Sequence, residues 1–188
     1  GFGDLYKGKA ANSQLCKLLV ALGRDEGISP ICIVRDIEQG KHLKELGAVE
    51  VLDSSDVEFS KNLKSVVSAL KPRIMLDAVA NQASADIFMA MPSRSRWIIY
   101  GKLDSTPPTI AEMGQFVFSE KVIEGFWLVR WFQKTYLGKQ MQVIKSVQDR
   151  FVSEKWKTEV SKVLKFDEVM TGLPDALKTG AKVMLIPK

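Results

Sequence analysis

The stretch that most constrains this chain runs over residues 10–36, where a short turn precedes an amphipathic helix and a buried strand. Its leucines recur with the three-and-four spacing of one helix face, and Gly27 provides a stop signal. Either Asn12 or Ser13 can cap the start of the helix. The continuous apolar run over 31–34 is typical of a strand that is covered on both faces. A turn, a helix and a strand in this order predict a parallel βαβ unit.

The rest of the chain continues the alternation. Strands are predicted over 49–52, 74–79, 97–100, 122–127 and 183–186, and helices over 38–46, 57–70, 82–91, roughly 130–155 and near 174–179. This spacing predicts an α/β fold with a Rossmann-like doubly wound parallel sheet. Its first strand is predicted to be weak or missing, because residues 4–9 are too polar for the centre of a parallel sheet. We expect 140–152 to be an amphipathic helix that packs on the sheet.

Composition excludes several classes of function. The chain carries a net charge of +5, but its lysines are scattered among acids, so we expect no nucleic-acid partner. No window approaches the roughly 20 apolar residues that span a bilayer, so we expect no membrane segment. One histidine and two dispersed cysteines, Cys16 and Cys32, do not form a metal-ligand set, and we expect the cysteines to be reduced thiols.

The turn before the first helix has features of a dinucleotide site. Such a site needs small residues at the turn and a helix N-terminus that faces the pyrophosphate. Ala10, Ser13 and Cys16 stand at the spacing where glycines are usual. Cys16 is bulkier than glycine, so its side chain must be absorbed by packing or push the helix outward.

The end of the second strand predicts which dinucleotide is bound. A cation at this position recognises the 2′-phosphate of an NADP cofactor, whereas an acid recognises the ribose hydroxyl of NAD. Arg35 stands there, and its planar guanidinium suits a phosphate. Lys41 or Lys44 can add positive charge. The alternative is that Arg35 is only a solvated residue at a strand end.

Several segments match one superfamily. The most specific is Gly125-Phe126-Trp127 followed by Arg130-Trp131, and the others are AANSQL, CIVRD, LGAVEVLD, IMLDAV, WIIYG and KVMLI. Together they resemble the zinc-free branch of the medium-chain dehydrogenase/reductase superfamily, above all the mitochondrial-type trans-2-enoyl-CoA and enoyl-ACP reductases. The resemblance covers the nucleotide-binding domain and a C-terminal segment, and it does not extend to the catalytic domain of that family.

The resemblance implies that NADPH is the cofactor and assigns its contacts by position. The pyrophosphate is assigned to Asn12, Ser13, Gln14 and Leu15, and the adenosine 2′-phosphate to Arg35 and Asp36. The nicotinamide ribose is assigned to Tyr100, Gly101, Lys102 and Leu103, and the nicotinamide to Phe126, Trp127 and Leu128. A lysine near the C-terminus, Lys182, is a further contact with the cofactor. No catalytic residue and no metal site is assigned.

The resemblance also implies a function. It predicts the NADPH-binding part of a zinc-independent oxidoreductase that reduces trans-2-enoyl thioesters of CoA or acyl carrier protein, in the manner of fatty-acid synthesis. It implies a Rossmann-like domain over 1–135, a segment over 136–188 that returns toward the catalytic domain, a homodimer, and a mitochondrial matrix or cytoplasmic location. The alternatives are a non-catalytic Rossmann-like subunit of a larger assembly and a quinone oxidoreductase of the same superfamily.

Overall fold

The computed structural model describes residues 3–7, 13–158, 160–176 and 182–187. Helices and strands alternate in it as the sequence predicts. In chain order the elements are β1 (Gly3–Lys7), α1 (Gln14–Asp25), β2 (Ser29–Val34), α2 (Ile37–Leu46), β3 (Glu50–Asp53), α3 (Phe59–Leu70), β4 (Ile74–Asp77), α4 (Gln82–Ala90), β5 (Arg96–Ile99), α5 (Gly114–Phe118), β6 (Val122–Gly125), α6 (Leu128–Lys134), α7 (Leu137–Val152), β7 (Val160–Lys165), a 3₁₀ turn (Phe166–Glu168), α8 (Val169–Ala176) and β8 (Lys182–Ile186).

Six strands form the main sheet, in the order β3-β2-β1-β4-β5-β6, and all neighbours are parallel. The chain starts at the centre, winds outward to β3, and then returns to β4 to wind outward to β6. The predicted doubly wound Rossmann-like sheet is therefore confirmed. In sheets of this kind, ligands bind beside the reversal in strand order, which here lies between β1 and β4.

The first strand, β1, is present at the centre of the sheet, so the prediction that it is missing is wrong. Leu5 lies opposite Ile31 of β2 and opposite Met75 of β4, which means that the strand is paired along both edges. Pairing on both sides satisfies the backbone N–H and C=O groups regardless of side-chain polarity. The polar character of residues 4–9 therefore did not decide whether a strand forms.

Strand β2 shows how the sheet is covered on both faces. Alternate residues of a strand point to opposite faces. Ile31 and Ile33 belong to a core with residues of α3 and α4, whereas Cys32 and Val34 belong to a core with residues of α1 and α2. The helix residues in the two cores are Leu63, Val67, Ala85, Ile87 and Phe88 on one face and Cys16, Val20 and Leu43 on the other. The uninterrupted apolar run in the sequence follows from these two cores.

A second, two-stranded parallel sheet follows the main one. β7 pairs with β8, with Leu164 opposite Leu185, and α8 packs against β7, where Leu164 is buried. β8 was predicted from the sequence but β7 was not, because the apolar residues of β7 stand among lysines without a clear alternation. The last helix was predicted near 174–179, whereas α8 begins at Val169.

The long helix predicted over 130–155 is divided into α6 and α7. Thr135 and Tyr136 are extended between them, and the Gln140 side chain donates to carbonyl groups near the end of α6, including that of Thr135 at 2.6 Å. None of the residues of α7 is buried, so the prediction that 140–152 packs on the sheet is wrong. An amphipathic pattern reports an apolar face but not the surface that covers it. No helix in the described ranges is both long enough and apolar enough to cross a bilayer.

Candidate cofactor site

The predicted site residues gather at one edge of the main sheet. The segments that follow β2, β5 and β6, together with the start of α1, all lie at the carboxyl edge of the parallel strands. Asn12 lies outside the described residues, and Lys182 opens β8 in the second sheet. The predicted residues at the carboxyl edge are Ser13, Gln14, Leu15, Arg35, Asp36, Tyr100, Gly101, Lys102, Leu103, Phe126, Trp127 and Leu128.

Ser13 fixes the start of α1. Its hydroxyl accepts a hydrogen bond from the N–H of Cys16 at 3.3 Å, and its carbonyl accepts one from the N–H of Lys17 at 3.1 Å. The side chain of Gln14 donates to the backbone carbonyl of Lys157 at 2.7 Å, which ties the first turn of α1 to the segment after α7. A helix N-terminus at this edge attracts an anionic group, as a pyrophosphate requires.

Cys16 stands where glycine is usual, and packing absorbs its side chain. It is buried between α1 and β2, next to Cys32, and both are free thiols. The hydrogen bond with Cys16 and burial raise the pKa of Cys32. The Cys32 thiol therefore stays protonated, and both cysteines act as core residues beneath the turn.

Arg35 directly follows β2, and its side chain is exposed. Within the described residues its guanidinium makes no hydrogen bond or ion pair. Asp36 is occupied as the cap of α2, where it accepts a hydrogen bond from the N–H of Glu38 at 2.9 Å. Lys41 and Lys44 each form an ion pair with a nearby glutamate. Of the three cations considered for the 2′-phosphate, Arg35 is the one that leaves its charge available in this part of the structure.

The segment after β5 lies against the loop after β4. Gly101 approaches Ala78 so closely that a Cβ added to it would stand 3.1 Å from the carbonyl oxygen of Ala78. Tyr100 is half-buried, and burial, with smaller effects from Cys16 and Asp77, raises the pKa of Tyr100 to about 12. Its phenol is therefore neutral near pH 7 and able to donate a hydrogen bond at the crevice.

The side chains after β6 form an apolar wall. The N–H of Phe126 donates to the last carbonyl of β5 at 2.8 Å, which continues the sheet ladder. The side chains of Phe126, Trp127 and Leu128 are all exposed, Trp127 by 63%. Apolar side chains of this size can cover a flat heteroaromatic ring.

The loop over residues 78–81, between β4 and α4, was not predicted from the sequence as part of the site. The loop follows a parallel strand beside the reversal in strand order, and the segment after β5 is hydrogen bonded to it. Its position after a strand of the parallel sheet would have identified it. Asp77, the last residue of β4, is enclosed in the core, where its carboxylate accepts three hydrogen bonds.

The carboxyl edge thus combines a helix N-terminus, an available guanidinium and an apolar wall, which are the groups needed for a pyrophosphate, a further phosphate and a flat ring. In the described part of the chain, no group of three or more histidine, cysteine, aspartate or glutamate side chains is placed to hold a metal ion. Together these groups supply the chemistry that a phosphorylated dinucleotide requires.

Known proteins share both sequence and structure with this chain, although no protein-family profile matches it. The mitochondrial enoyl-[acyl-carrier-protein] reductase of Dictyostelium discoideum is 25% identical over 174 residues, which are 89% of this chain and 49% of that protein. The crystal structure of a candidate NADPH:quinone reductase from Mesorhizobium loti has a TM-score of 0.89 and 40% identity, over 98% of this chain and 53% of that one. This chain is related to the medium-chain dehydrogenase/reductases.

Structures of medium-chain dehydrogenase/reductases at lower identity share the fold. Etr1p, a 2-enoyl thioester reductase of Candida tropicalis, was solved with NADP and crotonyl-CoA. It has a TM-score of 0.80 and 18% identity, over 98% of this chain and 54% of its own. The resemblance found in the sequence is confirmed, and the chain spans about half the length of the relatives it matches.

Proposed function

We propose that this chain is the NADPH-binding part of a zinc-independent oxidoreductase that reduces trans-2-enoyl thioesters. The observation that supports the proposal is the exposed guanidinium of Arg35, which has no partner among the described residues and follows β2 at the carboxyl edge. In an NAD site, a carboxylate such as that of Asp36 would accept a hydrogen bond from a ribose hydroxyl, but here Asp36 caps α2. A cation in place of an available acid favours NADPH over NADH.

The proposed roles of the other residues follow from their positions. The start of α1, with Ser13, faces the pyrophosphate, while Tyr100 and its three successors approach the nicotinamide ribose. Phe126 and Trp127 cover the nicotinamide and keep water away from it. NADPH, when bound, supplies a hydride for the β-carbon of the enoyl thioester. The residues of this chain bind and orient the cofactor, and Asn12 and Lys182 are proposed as further contacts.

The test is the cofactor preference of Arg35→Ala. A hydrogen bond to a charged group contributes about 1.5–3 kcal/mol, so the affinity for NADPH is expected to fall roughly 10- to 100-fold. The affinity for NADH, which lacks the 2′-phosphate, is expected to stay unchanged. Titration of the intrinsic tryptophan fluorescence or calorimetry measures both constants.

Arg73→Ala is the matched control. Arg73 is half-buried at the amino end of β4 and, among the described residues, also makes no side-chain hydrogen bond or ion pair. It lies at the opposite edge of the sheet, so its removal is expected to leave the NADPH affinity unchanged. Equal losses in the two variants, or equal losses of NADPH and NADH affinity in Arg35→Ala, would reject the proposed cofactor site.

A quinone is the second candidate substrate, because the Mesorhizobium loti relative, at 40% identity, is a candidate NADPH:quinone reductase. Both substrates would use the same cofactor site, so binding experiments on this chain do not separate them. The decisive measurement is NADPH oxidation by the whole protein, with crotonyl-CoA compared with a benzoquinone. If the quinone is turned over faster, a quinone replaces the enoyl thioester as the proposed substrate.

A non-catalytic role is the remaining alternative. In that case the chain would keep the Rossmann-like fold as a subunit of a larger assembly and would bind neither NADPH nor NADH. The fluorescence titration described for Arg35 decides this question as well.

We further propose that residues 1–135 form the cofactor domain and 136–188 return toward a catalytic domain. The apolar face that α7 leaves exposed supports this division, since such a surface needs a cover. We also propose a homodimer through β6, which pairs only with β5 among the described strands and exposes Val122 and Ile123. The proposed location is the mitochondrial matrix, or else the cytoplasm, and the acyl carrier is CoA or acyl carrier protein.

A further inference from the structure

Asp77 is a carboxylate enclosed in the core at the carboxyl end of β4, with a relative exposure of 0%. It accepts hydrogen bonds from the N–H groups of Val79 at 2.8 Å and Ala80 at 3.0 Å, and from the indole N–H of Trp97 at 3.1 Å. Two of these three donors belong to the loop that follows β4. The carboxylate therefore holds that loop in place by two hydrogen bonds, and the indole of Trp97, on β5, holds the carboxylate by a third.

The clamped loop has an unusual backbone. Ala80 has a φ of 54°, in the left-handed region that an alanine avoids by roughly 1–2 kcal/mol. The hydrogen bond from the N–H of Ala80 to Asp77 offsets that cost. Without the carboxylate, the loop would move toward conformations in which Ala80 has a negative φ.

The loop in turn holds the segment after β5. Leu103 donates through its N–H to the carbonyl of Ala78 at 2.9 Å, and Asp104 does so to the carbonyl of Val79 at 3.2 Å. The backbone N–H of Tyr100 donates to the backbone carbonyl of Asp77 at 2.9 Å. A change in the loop would therefore displace the segment that begins at Tyr100.

We propose that Asp77 is a positioning residue that sets the nicotinamide half of the cofactor site by holding Ala80 in its left-handed conformation. The inference rests on the proposed NADPH function. Arg35, which is proposed to hold the adenosine half, follows β2, whereas Asp77 acts on segments after β4 and β5. The two halves of the cofactor should therefore respond differently to the loss of Asp77.

The test uses Asp77→Asn and two ligands, NADPH and adenosine 2′,5′-bisphosphate, which has the 2′-phosphate but no nicotinamide. The NADPH affinity is expected to fall about tenfold, because only the fraction of molecules with the native loop can bind it. The affinity for the bisphosphate is expected to change by less than about twofold. Removal of a negative charge would by itself strengthen the binding of either anion, so a selective loss of NADPH affinity is opposite in sign to a charge effect.

The double variant Asp77→Asn/Ala80→Gly supplies the rescue. Glycine adopts a positive φ without support, so it is expected to restore most of the lost NADPH affinity. Asp86→Asn, an exposed carboxylate on α4, is the matched control for the loss of one charge. Equal losses for both ligands, an unchanged NADPH affinity, or no rescue by glycine would each overturn the inference.

Circular dichroism first establishes that Asp77→Asn is folded. Should it fail to fold, Trp97→Phe replaces it, because that change keeps an aromatic side chain, although a smaller one, and removes one of the three donors that hold the carboxylate. The NADPH affinity is then expected to fall about two- to threefold, while the affinity for the bisphosphate stays unchanged. An unchanged NADPH affinity would overturn the inference. Wild-type chain that binds neither ligand would refute the proposed function itself, which is a separate outcome.

Discussion

Raising the pH is expected to stabilise this protein through Lys121, whose exposure is only 4%. Its ammonium group donates to the carbonyls of Phe88 and Met89 at the end of α4, at 2.8 and 2.9 Å, and lies 5.2 Å from the centre of the Phe88 ring. These carbonyls, the negative end of the helix and the ring all favour the charged form. Burial outweighs them and lowers the pKa of Lys121 from 10.5 to about 8.

The sign and size of the effect follow from proton linkage. Between about pH 8 and pH 10.5 the unfolded chain holds the Lys121 proton and the folded chain does not. The contribution of Lys121 to the free energy of unfolding therefore rises with pH in that window and is constant below it. At about 1.4 kcal/mol for each pH unit, Lys121 contributes at most about 3 kcal/mol across the window. The contribution is complete above pH 10.5 and lost as the pH falls through 8.

Urea denaturation of the wild type and of Lys121→Met, at a series of pH values from about 7 to about 11, measures this contribution. Methionine keeps the unbranched apolar stem and removes the titrating group. All other ionisable groups are common to the two proteins, so their effects cancel in the difference between the two free energies. That difference is expected to shift by up to about 3 kcal/mol in favour of the wild type. Two parallel curves would refute the reasoning.

Two further changes test the packing around the sheet. Phe88→Ala removes a fully buried ring that lies 5.5 Å from the ring of Trp97, so the free energy of unfolding in urea is expected to fall by about 3–5 kcal/mol; a loss below about 1 kcal/mol would contradict the assigned core. Gly101→Ala places a Cβ 3.1 Å from the carbonyl oxygen of Ala78. Ala78 belongs to the loop after β4, which hydrogen bonds to Asp77 hold in place. A loss of about 1–3 kcal/mol in the same assay is expected, and an unchanged value would show that the loop can yield.

The fold was largely predictable because its strands have two buried faces. The run Ile31, Cys32, Ile33 and Val34 predicts a covered strand, and the structure places these residues alternately in two cores. β1 was not predictable from its own residues, because its place is determined by pairing with β2 and β4 on either side. Strand formation in that case depends on neighbours distant in sequence.

The geometry of the candidate site was predictable where position along a strand places a residue at the carboxyl edge, as for Arg35. It was not predictable where tertiary hydrogen bonds decide the conformation. Nothing in the sequence around Ala80 indicates a positive φ, because the carboxylate of Asp77 and the indole of Trp97 impose it together. The bond from Gln14 to Lys157 joins residues 143 positions apart, and no local pattern reports such a contact.

The attachment of α1 to the C-terminal segment has a thermodynamic consequence. This helix is joined to that segment near both ends, through Gln14 at its start and through Asp25, which accepts a hydrogen bond from the indole of Trp156, at its finish. A ligand that shifts the first turn of α1 therefore also perturbs whatever rests on the segment after α7. Coupling between two binding events is reciprocal. A partner that binds the segment after α7 and changes the nucleotide affinity by some factor must therefore have its own affinity changed by the same factor when the nucleotide is bound.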